Sequence, residues 1–245
     1  MDRMIYVAMT GAKQSSFQQA TIANNLANAN TPGFRAELAA FRAVPATGGT
    51  GLPTRAFVLE QTTGADMTPG VVQTTGRSLD IALTTGGFFA VQTPSGEAYT
   101  RNGSLEIDPN GILRTRDGQQ VQGDGGPISI PSESVISIGH DGTISASPPG
   151  DPTQSNQIGR IKLVEPGERQ MERGSDGLFR PRDGQPLEAD ASVKLMQGAL
   201  ESSNVNAVEQ LVKMIDYQRH YDMQVRLLQA ADQNDRAAAQ VLTLS

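Results

Sequence analysis

Cysteine is absent from the 245 residues, and so is tryptophan. The first absence excludes disulfides, thiolate nucleophiles and cysteine-ligated metals. Histidine is scarce: His140 and His220 lie in different predicted elements, which leaves no histidine-rich metal site. Aromatics make up only 4% of the chain. No apolar run approaches the roughly 18 residues of a membrane-spanning helix, so no membrane insertion is expected. The start, MDRMIYVAMTGAKQSSF, carries a short apolar patch without the h-region and cleavage site of a secretory signal, which by default points to the cytoplasm. Basic side chains are outnumbered, 20 against 26, and a net charge of -6 supports no nucleic-acid surface.

Catalytic motifs are missing as well. There is no G-x-S-x-G elbow. GDGG at Gly123–Gly126 is followed by neither a Lys-Ser/Thr pair nor a helix signal, so it is not a phosphate loop. Asp80, Asp108, Asp117, Asp141 and Asp176 sit in turn contexts, where side-chain-to-backbone bonds explain them. DPNGIL lacks the spaced oxygen ligands of a calcium loop. The expectation is a non-enzymatic chain with no catalytic, cofactor-binding or metal-binding residues and no cofactor. His140 reads as a solvated turn residue and His220 as a helix-surface residue beside Asp216.

Glycine and proline are plentiful, 26 and 14 residues, and many of them fall in the middle of the chain. On either side the pattern is helical. From about Asp2 to Asn28, the residues Ile5, Met9, Ala12, Ser16, Gln19, Ala23 and Leu26 follow at steps of four and three. The side chains are mostly small, so this stripe buries little without a partner. Pro32 and Gly33 require the helix to end by about Asn30. A second helix is predicted from about Asn204 to Ala239, with Asn206 as cap and Glu209 as its box partner. Its apolar stripe is Leu211, Met214, Ile215, Tyr221, Val225 and Leu228. Glu209–Lys213, Asp216–His220, Asp222–Arg226 and Asp232–Arg236 are opposite charges four apart, the acid first each time.

Between the helices, 35–75 reads as an extended linker with a short strand near Ala56–Glu60. From about Leu79 the period becomes two, and SGE, PNG and RDG are hairpin turns between short apolar runs. The predicted class is α+β: terminal helices pairing as a coiled coil, with an outer antiparallel all-β domain of short strands. Its divisions are a discontinuous helical domain, 1–34 with 190–245, the linker, and a β domain over 76–189. Asn24, Asn25, Asn28 and Asn30 crowd the end of the first helix. Small-molecule binding and plain solvation are alternatives, but the favoured reading is amide pairing across a protein interface, which fixes register at a cost in stability.

ANNLANANTPGFR (Ala23–Arg35) resembles the N-terminal signature of the bacterial flagellar rod and hook protein family. GALESSNVNAVEQLVKMIDYQRHYDM (Gly198–Met223) is similar to its C-terminal signature. GRSLDIALTTGGFFAVQTPSGEAYTRNGSLEIDPNGILRTRDGQQVQG (Gly76–Gly123) resembles the β region its rod and hook members share. Within the family the proximal-rod branch fits best; Arg35–Ala36 stands where the distal-rod branch usually carries Lys–Arg. The resemblance implies a structural axial component of the basal-body rod that transmits torque across the periplasm. It implies assembly with copies of itself and with proximal and distal rod proteins, after passage through the flagellar type III export apparatus. A distal-rod or hook-like axial protein is the alternative within the family, and a β-domain binding module on a helical stalk is the alternative outside it. Candidate subunit-interface residues are Ile5, Met9, Asn24, Asn25, Leu26, Asn28, Pro32, Phe34, Asn204, Asn206, Leu211, Met214, Ile215, Tyr221, Val225 and Leu228.

Overall fold

The computed structural model describes residues 4–45, 56–132, 134–150, 154–167 and 171–243. Asp2, the expected start of the first helix, and 46–55 of the expected linker lie outside them. The class is α+β, and every strand pairing among the described residues is antiparallel. The chain divides into two units, one of 1–29, 36–66 and 205–245 and one of 30–35 and 67–204.

The first unit holds both helices. Helix α1 spans Met4–Ala27. At its end the carbonyl of Asn24 accepts twice from Asn28, from the backbone N–H at 3.1 Å and from the side-chain amide at 2.9 Å. Helix α2 spans Ala207–Thr243. Asn206 Oδ1 accepts from the N–H groups of Val208 at 3.1 Å and Glu209 at 3.2 Å, the predicted cap. Glu209–Lys213 and Asp232–Arg236 close as ion pairs, while Asp222 accepts from Gln218 at 3.4 Å. The helices run antiparallel side by side: Gln19 donates to Gln218 at 2.9 Å, and Gly11 lies against the Gln224 side chain.

Their contact keeps the heptad period, but its phase on α1 differs from the expected one. Ala8, Ser15, Ile22 and Asn25 are buried, while Met9, Ser16 and Ala23 are exposed, so the covered stripe lies one residue earlier. On α2 the covered positions are Gln210, Met214, Tyr217, Tyr221, Gln224, Leu228 and Ala231. The reason is shape. The bulky side chains on α2 take the small side chains of α1, and Gly11 in particular permits close approach. Choosing the stripe by apolarity alone selects the neighbouring row.

The expected linker is folded at both ends of its described part. β1 (Glu37–Pro45) and β2 (Ala56–Ala65) pair as an antiparallel ribbon within the helical unit.

The second unit is built of short strands. They are β3 (Val72–Thr74), β4 (Ile81–Leu83), β5 (Phe88–Thr93), β6 (Gly96–Thr100), β7 (Leu105–Ile107) and β8 (Leu113–Thr115). Next come β9 (Gln120–Gly123), β10 (Gly126–Pro127), β11 (Val135–Ile138), β12 (Thr143–Ser147), β13 (Asn156–Arg160) and β14 (Leu163–Val164). β15 (Met171–Arg173), β16 (Phe179–Pro181), β17 (Leu195–Gln197) and β18 (Ala199–Glu201) complete the set. The main sheet runs β15-β16-β6-β5-β9-β8-β7, with β10 on β9 and β14 on β5. β11-β12-β13 form a second sheet, and β17–β4 and β18–β3 form ribbons. Gly96, Gly111 and Gly118 have positive φ in the predicted turns, where a side chain would be strained. Ile81, Phe89, Leu105, Leu113, Val121, Ile144, Ile161 and Leu195 form one core. Leu195 belongs to it, so 190–204, expected with the helices, is part of the β unit.

β4 departs from the expected alternation: Ile81, Ala82 and Leu83 are all buried, and so is Asp80. Asp80 is tolerated there because Thr75 and Arg77 each donate to its carboxylate at 2.8 Å. Tyr99 is likewise fully buried. Burial pushes its phenol well above the ordinary value, helped by its bond to Glu97 at 2.6 Å, and the hydroxyl accepts from Leu187 N–H at 2.7 Å.

Candidate functional site

The predicted residues fall into four groups. Asn25 is buried, and its side chain acts as a strand mimic: Nδ2 donates to Glu37 O at 2.9 Å and Oδ1 accepts from Glu37 N at 2.7 Å. Expected to spend its amide across a subunit seam, it spends it inside the chain, fixing the start of β1 to α1. Asn24 is exposed and Asn28 half-buried at the end of the helix. Asn206 is exposed and serves α2 as its cap.

The second group lies on the contact between the helices. Met214, Tyr221, Val225 and Leu228 are half-buried, as are Ile5 and Leu26. This seam is poor in large apolar side chains on the α1 side. The Gln14 amide nitrogen of α1 is buried without a hydrogen-bond partner.

The third group points outward. Leu211 and Ile215 are exposed, in one stripe with Val208 and Val212 at helical spacing. Val208 is 71% exposed and Ile215 54%. On α1, Tyr6, Met9 and Phe17 are exposed, and Lys13, the one charged side chain of that helix, sits 5.5 Å over the Phe17 ring. Met223 and Leu227 add to the outward face of α2. The helical unit therefore turns much of its large apolar surface to solvent and covers small and amide side chains.

In the β unit, sequence reasoning named Pro32, Phe34 and Asn204 but missed their neighbours. Glu201, nearly fully buried, receives Arg35 Nη2 at 2.6 Å, Arg101 Nε and Nη2 at 2.8 Å each, and Gly70 N–H at 2.8 Å. Arg101 also donates to Gly87 O at 2.7 Å. Pro32 is half-buried. Phe34 is buried with the Arg173 guanidinium 4.2 Å above its ring, and Asn204 donates to Thr68 O at 3.0 Å. No local pattern joins Arg35, Arg101 and Glu201, so only the fold brings them together. The cluster is buried and the Glu201 carboxylate is held by several internal bonds, which is an architecture for holding segments rather than for turning over a substrate.

His140 is an exposed turn residue, and its Nδ1 lies 2.9 Å from Leu195 O while its own carbonyl accepts from Leu195 N–H. His220 is exposed with its ring beside Tyr217, 6.4 Å between centroids. Among the described residues no helix is long and apolar enough to cross a membrane.

Three family models match along the chain. Flagella basal body rod protein covers residues 5–35, the Flagellar hook protein FlgE/F/G D1 domain covers 82–146, and Flagellar basal body rod FlgEFG protein C-terminal covers 196–241. The first spans α1 and Pro32–Arg35, and the last spans β18, Glu201 and most of α2. The flagellar basal-body rod protein FlgF of Escherichia coli (strain K12) is 48% identical over 253 aligned positions, covering 100% of both chains. Its counterpart in Salmonella typhimurium is 47% identical over 253, again across 100% of both. The rod protein FlgG of Buchnera aphidicola subsp. Schizaphis graminum is 31% identical over 252, covering 94% of this chain and 95% of its own. The chain belongs to the flagellar basal-body rod protein family, is most like its FlgF members, and is a structural component of the basal-body rod, not an enzyme.

Proposed function

We propose that the chain is an axial subunit that polymerises through α1 and α2, which act as a coiled-coil element of the rod. Its neighbours are copies of itself and other proximal and distal rod proteins, it reaches them through the flagellar type III export apparatus, and it carries torque across the periplasm. One observation supports this most: the large apolar side chains of the helical unit face out. Val208, Leu211, Val212 and Ile215 make a stripe on α2 that stays exposed among the described residues. Burying each such side chain contributes about 1.5–3 kcal/mol, so neighbours that cover the stripe gain several times over. A shaft under torsion then shares its load over many helix contacts.

The test is a pair of substitutions on one helix. Leu211→Asp lies on the outward stripe and should leave the isolated chain about as stable as the wild type, within roughly 0.5 kcal/mol. Leu228→Asp lies on the seam and should destabilise the chain itself. Basal bodies imaged from a Leu211→Asp strain should lack complete rods, and its swarming should fail. Complete rods and normal swarming with Leu211→Asp would refute the proposed role of the stripe.

A further inference from the structure

We infer that Asn30–Arg35 is a strap that unlatches from the β unit as one piece, with Glu201 as the latch. The strap belongs to the β unit, yet both of its flanks in sequence, Met1–Ala29 and Ala36–Asp66, belong to the helical unit. Several of its contacts are local bonds to the β unit. Gly33 N–H donates to Glu201 O at 2.8 Å, Asn204 N–H donates to Phe34 O at 3.3 Å, and Arg173 Nη1 donates to Arg35 O at 3.2 Å. Gly33, at φ 68°, rests so close to Arg101 that a Cβ would stand 2.3 Å from its carbonyl carbon. Phe34 fills the space under Arg173, and Arg35 reaches Glu201.

Three features make this segment separable from the rest. It contributes no strand to any sheet, so its departure breaks no ladder. Glu201 does not become a stranded buried carboxylate when Arg35 withdraws, because it keeps Arg101 through Nε and Nη2 and keeps Gly70 N–H. A stranded charge is what makes most buried ion pairs hard to open, and here the second arginine removes that barrier. Finally, a cavity of about 190 Å³ lies alongside, lined by Arg35, Arg101, Met67, Glu165 and Met171. It has room and polar lining for the water that must hydrate the Arg35 guanidinium as the strap lifts. The latch therefore has a defined open state: strap released, Arg35 in water, Glu201 still paired with Arg101, the main sheet intact.

Amide exchange on the full-length chain tests this by comparing three amides. Gly33 N–H reports the strap, Gly70 N–H reports the Glu201–Arg101 pair, and Ala90 N–H, bonded to Lys162 O at 3.1 Å, reports the main sheet. In the wild type Gly33 should exchange on the order of 100-fold faster than Ala90, as a sub-global opening does. In Arg35→Gln it should quicken by roughly tenfold more, with Gly70 and Ala90 unchanged within about threefold. In Glu201→Gln, Gly33 and Gly70 should both quicken and Ala90 should not. Equal exchange of Gly33 and Ala90 in the wild type would overturn the inference, because 30–35 would then open only with the sheet. So would Arg35→Gln quickening Gly70 as much as Gly33, since Glu201 would not be keeping its partners. Because Arg35→Gln leaves the Glu201–Arg101 pair whole, the test survives if Glu201→Gln fails to fold.

Discussion

A single side chain separates packing from assembly at the end of α1. Asn25 holds both backbone groups of Glu37, whereas Asn24 beside it is exposed. Asn25→Leu keeps a good helix former but leaves the Glu37 N–H and C=O without their partner, which costs about 1–3 kcal/mol. Asn24→Leu should change stability by no more than about 0.5 kcal/mol. Denaturant unfolding of the two full-length variants checks this, and equal midpoints would mean the Glu37 bonds contribute nothing. The asparagine cluster was legible in the sequence as a special place, but not the direction each amide takes. That depends on β1, which the turn-rich segment after Pro32 did not announce. Carboxylates give a second prediction at this scale. Asp108 is held below its ordinary value of 3.8 by the Ile112 N–H, with Asn110 N–H and Arg114 assisting, and Asp141 is lowered by its bonds with Thr143. A lowered folded-state value means the unfolded chain binds protons first. The stability these groups contribute is therefore complete above the unfolded value and lost as the pH falls below about 4. Urea midpoints measured from pH 5 down to pH 2 should decline, and Asp108→Asn should flatten part of that decline. An unchanged slope in Asp108→Asn would contradict the assignment.

At the level of elements, some features were readable because their cause is local. The Asn206 cap, the glycine turns and the two terminal helices each follow from residues within a few positions of one another. The heptad period was readable too, since Ala8, Ser15 and Ile22 recur every seventh residue just as the expected stripe does. Its phase was not. Apolarity picks the row that includes Met9, whereas the neighbouring helix picks the row that includes Ala8 and Gly11. The difference decides what each face can do. If the apolar row had been the seam, the helices would satisfy one another and show a polar exterior. With the small row as the seam, Leu211 and Ile215 stay exposed on the exterior of α2, while Leu228 is half-buried on the seam. The contrast between Leu211→Asp and Leu228→Asp is thus a contrast between two rows of one element, not between two regions of the chain.

On the scale of the whole molecule, the β unit and the helical unit solve different problems. The β unit has a continuous apolar core and a buried charge cluster at Glu201. It gathers strands from distant parts of the sequence, as β4 with β17 and β3 with β18, and those pairings were invisible without the fold. The helical unit covers a thin seam and exposes large apolar side chains. The central claim is that this exposed stripe is covered in the assembled rod. The lack of cysteine makes the claim directly measurable, because one introduced thiol is the only thiol in the chain. Ile215→Cys should react with a maleimide at nearly the rate of a free thiol in the dilute full-length chain, and Met214→Cys, on the seam, more slowly. In purified basal bodies the Ile215→Cys thiol should become at least about tenfold less reactive, as burial of the stripe requires. Equal reactivity of Ile215→Cys in the isolated chain and in the assembled rod would show that the stripe faces solvent in both, and the account of polymerisation through it would fail.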